Sequence, residues 1–566
     1  MLRIKGLGSE GVITGRLIKK KDLLLMFILT AAFFSVALYD LGYSRTPTSG
    51  WGSSSDGEVY FDLGSYKRVE AIYVLLADAK PVSFDVFTNG SGSWVNQKTF
   101  HESYYYKWKK LDLAGVYTRF IKLHFHNSLG VIDEVYFVGG NGEKLHIEKV
   151  WAGGTVRNEV GKLIDEQELI EHPPTYRSHT YFDEIYYVRT AENYLNREEP
   201  YEWTHPPLGK FFIALSILFL GFSPFGWRFA GVMVASLMIP AIYVLAKAMF
   251  HRRVAAFFSA SLLSLDFLHF TMGRIATVDT FTVFFILTSY IFLFISYRRL
   301  IERGRLDWRI FLAGAVTFSL AFSTKWYALY GFMGQLTLIL AILLWNLKSS
   351  RFECKGCIIK SLMIILFSVA LTVLVYFCSF IPYMMVGHSL QDVIARQWRM
   401  YYYHSTLKAT HPFSSPWWSW PLITRPVWLD VQYLPNGMVS TIVAMGNPVI
   451  WWMGLPFLTV TALKAIKHQD KTSLYIVWLF LFQWIPYAFI SRCLFIYHFY
   501  MNVPVIILSI TEFLKDSWDS KWGKAFTLAY LLLVVLLFVL FYPVISGMRI
   551  SYAYKEALRW FGSWLF

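Results

Sequence analysis

The chain has 566 residues, a mean hydropathy of +0.41, 55% hydrophobic residues and only 16% charged ones. That balance excludes an ordinary soluble domain and marks a polytopic α-helical membrane protein. The net charge of +15 does not point to nucleic acid, because Lys and Arg concentrate in short loops between apolar runs, where they orient the spans.

Apolar runs of bilayer-crossing length, about 17 to 25 residues, lie near 23–41, 226–250, 254–271, 279–297, 309–325, 326–346, 359–384, 447–466, 472–490, 494–512 and 525–546. Eleven spans are therefore expected. The first follows Lys19-Lys20-Lys21. Although Ser35-Val36-Ala37 is similar to a cleavage site, the run is long for a signal peptide, so an uncleaved anchor is expected. The positive-inside rule puts the basic loops at Arg252-Arg253, 298–309, 348–360, 464–471 and 515–524 in the cytoplasm. This works only if the apolar run 207–222 lies along the outer surface instead of crossing. The organisation that follows is a cytoplasmic 1–22, a first helix at 23–42, a β-rich insert at 50–150, an outer loop at 170–225, a membrane region at 226–546 with an outer loop at 386–446, and an extracytoplasmic tail at 547–566.

Residues 50–150 alternate apolar and polar positions between turn signals at Asn89-Gly90 and Gly139-Gly140, which predicts the short strands of a β-sandwich. The order of Phe61-Asp62-Leu63-Gly64, Ser83-Phe84-Asp85-Val86, Arg119 to Leu123 and Ile132-Asp133-Glu134-Val135 resembles a discoidin-like or carbohydrate-binding jelly roll. That resemblance implies a glycan or surface ligand; a structural cover over the membrane helices is the equal alternative. Asp133-Glu134 sits in the last strand and is read as structural. The four cysteines, Cys354, Cys357, Cys378 and Cys493, leave the insert without disulfides. Cys354 and Cys357 have CxxC spacing but no second ligand pair, and read as incidental thiols.

The chemistry-bearing stretch is 178–210, which contains the acids Asp183 and Glu184 and the turn from His205 to Lys210. Ionisable groups beside a bilayer are costly and commonly functional. The chain has no P-loop, dinucleotide fingerprint or zinc-protease helix, and no cluster with metal-ligand spacing. On the outer face, where nucleotide donors are scarce, an activated sugar has to arrive in the membrane on a polyprenyl phosphate. Such a donor needs a base for the acceptor hydroxyl, cations for the departing phosphate and a groove for the lipid. Asp183, Glu184, Arg228, Arg274, Asp279, Lys325 and Arg492 all fall on one side of the membrane in this topology, although interfacial cations also snorkel.

Phe182-Asp183-Glu184, His205-Pro206-Pro207-Leu208-Gly209-Lys210, Arg274 to Asp279, Ser323-Thr324-Lys325-Trp326, His404 to Pro412, Ser415 to Leu422, Gly446-Asn447-Pro448, and Arg492 with Tyr497-His498-Phe499 resemble the protein O-mannosyltransferase family of GT-C membrane glycosyltransferases. The match runs in order from about 178 to 512. Two departures, an outer loop at 386–446 too short for the β-trefoil of eukaryotic members and the insert at 50–150, imply a prokaryotic member.

The resemblance implies an inverting transferase moving mannose from a polyprenyl-phosphate donor to Ser or Thr of extracytoplasmic proteins. Asp183 would be the base, and Glu184 would orient acceptor or sugar. His205 and Lys210 would lie near sugar or phosphate. Arg274 and Lys325 come first for the leaving phosphate, Asp279 would hold Arg274, and Arg228 and Arg492 are weaker members of the same basic pocket. His404, His411 and His498 would contact sugar or lipid. No cofactor beyond the lipid-linked donor and no metal is indicated. Other readings are a GT-C enzyme modifying a lipid or cell-wall glycan, a membrane transporter, and a glycan-binding scaffold; no inverted repeat supports a transporter.

Overall fold

The computed structural model describes residues 17–52, 56–90, 92–126, 128–153, 159–348 and 355–566. Most of the expected 1–22 segment and Cys354 of the CxxC pair lie outside them. The chain opens with α1 (Lys20–Leu38), then seven strands: β1 (Trp51–Gly52), β2 (Gly57–Leu76), β3 (Val82–Asn89), β4 (Trp94–Glu102), β5 (Lys107–Phe125), β6 (Val131–Gly139) and β7 (Lys149–Gly153). Helices α2 (Glu184–Asn196), α3 (Leu208–Leu220), α4 (Pro224–Phe250), α5 (Arg253–Ser264), α6 (Phe267–Gly273), α7 (Asp279–Arg303), α8 (Trp308–Phe322), α9 (Ala328–Lys348) and α10 (Lys355–Cys378) follow. A loop region carries α11 (Ile381–Met385), α12 (Leu390–Thr406) and the hairpin β8 (Val427–Leu434) and β9 (Met438–Ala444). The chain closes with α13 (Pro448–Lys467), α14 (Lys471–Trp484), α15 (Val503–Ser517), α16 (Lys521–Ser546), β10 (Ile550–Ser551) and α17 (Tyr552–Ala557).

Among the described residues nine helices are long and apolar enough to cross a bilayer, or ten if α5 and α6 count as one span bent by 60°. The run expected at 309–325 is the 15-residue α8, and the run at 207–222 is the 13-residue α3, both short for a perpendicular crossing. Asp266 explains the bend: an acid in an apolar run, it caps α6 by accepting from the His269 amide at 3.0 Å and takes the Trp451 indole proton at 2.7 Å.

The seven strands form one antiparallel sheet in the order β1-β6-β2-β5-β3-β4, with β7 beside the first half of β2. The expectation of short strands fails at the centre, where β2 and β5 have 20 and 19 residues. Both bend: β2 has a register shift after Asp62, near Gly64 at φ 74°, and β5 turns through Ala114 and Gly115 at φ 58° and 79°. The sheet thus folds back on itself, and Phe61 of β2 meets Phe137 of β6 edge-on at 5.2 Å. Every residue of β6 after Val131 is buried, with none of the expected alternation. One face of the strand packs in the sheet's own core; the other packs against the membrane helices.

That second face is the seam. Leu75, Tyr105, Tyr106, Trp108 and Tyr136 share a core with Tyr187, Val188 and Ala191 of α2, Ile213 of α3 and Trp227 of α4. Tyr105 donates to Glu192 of α2 at 2.7 Å, and Thr180 donates its hydroxyl to the Tyr105 carbonyl at 2.6 Å. The sheet is therefore a structural cover clamped over α2.

Trp227 is fully buried at the seam, with Phe222 and Tyr106 rings 5.1 and 5.6 Å away. Trp227→Ala is expected to lower stability by about 3–5 kcal/mol, read as the unfolding midpoint of detergent-purified protein, and to open residues 103–108 to limited proteolysis.

Candidate active site

Near the end of α1 the start of α4, the α6–α7 turn and the 176–184 segment that leads into α2 meet. Glu184, the first residue of α2, is fully buried and faces Arg228 of α4, also fully buried. Arg228 Nε and Nη2 donate to the two Glu184 oxygens at 2.7 and 2.8 Å. Its remaining protons go to the carbonyls of Leu41, Tyr176 and His179 at 2.8–3.0 Å. Glu184 also accepts from the Tyr181 and Ala276 amides. Both groups were expected to meet acceptor or donor; with no exposed surface and every valence used inside the protein, they hold segments together instead.

Arg274 is corrected in the same way. It donates to the carbonyls of Ala37 and Tyr39 at 2.7 Å, Asp40 at 3.0 Å and Ser546 at 3.3 Å, which terminates α1 and α16. Asp279 does not hold Arg274. It holds Lys325, whose Nζ lies 2.9 and 3.0 Å from its two oxygens, and accepts from the Tyr327 hydroxyl at 3.1 Å.

The turn before α3 contains a residue that sequence reasoning passed over. Glu202 is buried, accepts from Lys210 Nζ at 2.5 Å and meets His205 Nδ1 at 3.1 Å. Lys210 is 1% exposed and also donates to the Glu202 and His205 carbonyls. It braces the turn and is not among the residues that line the neighbouring cavity. The available signal was the spacing: an acid three residues before His205 and eight before Lys210, in a turn stiffened by two prolines.

A cavity of about 270 Å³ opens beside these groups, lined by His205, Lys325, Trp326, Tyr327, Tyr330, Tyr401, His404, Tyr487, Arg492 and His498 among others. It unites five of the expected residues, His205, Lys325, His404, Arg492 and His498. His404 accepts from Arg492 Nη1 on Nδ1 at 2.8 Å, and its Nε2 lies 2.7 Å from the Thr204 carbonyl. Since guanidinium only donates and a carbonyl only accepts, His404 is the neutral Nε2–H tautomer. Burial and the neighbouring positive charges push it down to about 4. Arg492, expected to be a weaker candidate, has no carboxylate partner among the described residues and turns toward the cavity. His411 is exposed and belongs to an adjoining depression that Arg492 also lines.

Asp183 immediately precedes α2. It is not one of the lining residues, but Lys325, Asp279 and Glu202 are the charges that act on it. Among the described residues its carboxylate has no hydrogen-bond or ion-pair partner, and burial raises it from the ordinary 3.8 to about 7. Phe182, immediately before it, holds a left-handed φ of 49° that a bulky side chain rarely adopts, and packs edge-on against Tyr497 at 5.9 Å. Away from this site, Glu134, Asp165 and Glu166 bring carboxylate oxygens within 4.8 Å of one another, the one group among the described residues with spacing suited to a metal ion.

Two predictions follow from these pairings. Glu184→Gln or Arg228→Met strands a buried partner and is expected to cost about 3–5 kcal/mol of stability, much of it regained in the double Glu184→Leu/Arg228→Met variant, by denaturant unfolding. Asp183 behaves oppositely. Its folded value lies above its ordinary one, so its ionisation opposes folding progressively as the pH rises from about 4 to about 7 and fully above that. Asp183→Asn should therefore raise the unfolding midpoint at pH 8 and leave it near wild type at pH 4.

The family model for dolichyl-phosphate-mannose-protein mannosyltransferase matches residues 219–384, and that for the C-terminal four-transmembrane region of protein-O-mannosyltransferase matches 389–564. A polyprenol-phosphate-mannose–protein mannosyltransferase of Mycobacterium tuberculosis is 24% identical over 450 residues, covering 68% of this chain and 86% of the relative. Its Mycolicibacterium smegmatis counterpart is 24% identical over 458 residues, 69% of this chain and 89% of the relative. The S. cerevisiae Pmt1-Pmt2 complex bound to the sugar donor has the same fold, with a TM-score of 0.61 at 13% identity over 68% of this chain and 89% of that one. With two successive models of one family spanning more than half of its length, this integral membrane chain belongs to the protein O-mannosyltransferase family of glycosyltransferases.

Proposed function

We propose that the protein transfers mannose from a polyprenyl-phosphate donor to serine or threonine hydroxyls of extracytoplasmic proteins, inverting the anomeric carbon. The names of the mycobacterial relatives support the sugar and the acceptor class. The observation that carries the assignment of roles is the Asp183 carboxylate, which among the described residues has no hydrogen-bond or ion-pair partner and lies within electrostatic reach of Lys325, a residue that lines the cavity with Arg492. A half-buried acid whose proton affinity is raised toward neutrality is poised as a general base.

In the reaction, the acceptor oxygen forms its bond to the anomeric carbon while Asp183 takes the hydroxyl proton. The bond from that carbon to the phosphate oxygen breaks, and its electron pair leaves with the phosphate. Arg492, without a carboxylate partner among the described residues, meets the charge that develops there, and Lys325, already half-neutralised by Asp279, supports it. His404 keeps Arg492 aimed, and His205 and His498 offer ring nitrogens to the sugar. The amino terminus is assigned to the cytoplasm and the site to the extracytoplasmic face by the distribution of Lys and Arg. Transfer to a peptide instead of a glycolipid separates this function from a lipid- or wall-modifying enzyme.

The outer face of the β2–β7 half of the sheet supports a second partner, a glycan. Tyr60 stacks on Trp151 at 5.4 Å and 7°, Trp94 stands edge-on at 5.6 Å, and Lys122 and Glu58 pair beside them. Flat rings flanked by polar groups suit the two sides of a sugar.

Asp183→Asn is expected to lower mannose transfer from polyprenyl-phosphate-mannose to a Ser/Thr peptide by about 10²–10⁴-fold with the fold intact; a variant at full rate removes Asp183 from the role. In the wild type, kcat/KM should rise about tenfold per pH unit below a midpoint near 7 and level off above it, because the base acts when ionised.

A further inference from the structure

At the end of α7 away from Asp279, the chain builds a second charged cavity. Gly304, at φ 70°, ends α7 and turns the chain back. The Leu306 amide then donates to Ser361 of α10 at 3.3 Å, and Arg299 pairs with Asp307 across the turn. The hollow between them has a volume of about 460 Å³, and Arg299, Arg303, Arg305, Arg309 and Lys360 line it. Against these five cations the lining offers one carboxylate, Asp307, already engaged by Arg299. Arg303, Arg305, Arg309 and Lys360 have no acidic partner among the described residues. Snorkelling would scatter cations along helix ends. Here they come from the last turn of α7, the connecting turn, the start of α8 and α10, and they converge on one concavity whose loop is tied in place.

We propose that this cavity binds a phosphate-bearing anion, the headgroup of an anionic phospholipid in the leaflet opposite the catalytic cavity. Several convergent guanidinium groups match the oxygens of a phosphate diester, and the position at a membrane boundary brings such a group within reach without cost of transfer from lipid. The site is independent of Asp183 and of the transferase reading.

The full-length protein in neutral detergent, incubated with phosphatidylglycerol or phosphatidylcholine of equal chain length and read by native mass spectrometry, tests it. Phosphatidylglycerol should be retained about tenfold better, and the Arg303→Gln/Arg305→Gln/Lys360→Gln variant should lose that preference with an unchanged unfolding midpoint. If the triple variant unfolds, Lys360→Gln alone, on a separate helix, should lose about threefold. Arg298→Gln, outside the cavity and paired with Glu302, should bind as wild type. Displacement of phosphatidylglycerol by millimolar inorganic phosphate supports the headgroup phosphate as the recognised group; saturable binding of inorganic phosphate with no lipid preference supports the same chemistry from a soluble source. Equal retention of the two lipids with no phosphate binding overturns the proposal. So does wild-type lipid preference in the folded variant, or an equal loss in Arg298→Gln.

Discussion

The buried pair of Glu184 and Arg228 is the constraint on which the site rests. Removing two full charges from water costs several kcal/mol per ion, and mutual attraction returns it only when the geometry and the remaining hydrogen bonds are good. Here both conditions hold: the pairing is bidentate, and three carbonyls and two amides complete the two groups. Such a pair adds little net stability over a well-packed apolar replacement. What it adds is position, because the carbonyls belong to the end of α1 and the 176–179 segment, and the Ala276 amide to the α6–α7 turn. The residue next to Glu184 is Asp183, so the point where all these segments are fixed is one residue from the proposed base.

The electrostatics of the site follow from which acids are compensated. Glu184 has Arg228, Asp279 has Lys325, and Glu202 has Lys210 and His205. Asp183 has no cation bonded to it among the described residues; burial raises its proton affinity first, Lys325 opposes this, and the carboxylates of Asp279 and Glu202 add to it. Arg492, which lines the cavity, has no carboxylate partner among the described residues and is held through a neutral imidazole. Among the described residues, an acid without a bonded cation thus lies within electrostatic reach of a cavity whose lining includes a cation without a carboxylate.

Much of this was legible in the residues, for definite physical reasons. Hydropathy located the helices because a bilayer leaves no other solution for long apolar runs. The motifs around His205, Lys325, His404, Arg492 and His498 supply residues that line the cavity because they are contiguous words. What could not be read was how each cation uses its donors. Arg228, Arg274 and Arg492 look alike in a string, yet one neutralises Glu184, one terminates two helices and one lines the cavity. Spacing cannot reveal which carbonyls will arrive from a helix some 230 residues away. Glu202 escaped notice for the converse reason, since an acid in a polar turn resembles a solvated loop residue until the fold buries it. The sheet was legible as strands but not as a bent sheet, because a bulge at Ala114-Gly115 leaves the alternation on either side intact.

The sheet also bears on the site through α2. On one side this helix is held by the Glu184–Arg228 pair; on the other, Tyr105 fixes Glu192 two turns further on, and the Thr180 hydroxyl is bound to the Tyr105 carbonyl. The segment from 180 to 192 is thus pinned at both ends by groups that touch no substrate. Between those pins Phe182 takes a backbone conformation that costs of order 1–3 kcal/mol, which the surrounding contacts must offset. A loosened seam would let Phe182 relax, and the carboxylate one residue on would turn with it. A cover built of β-strands thereby becomes part of how the proposed base is aimed.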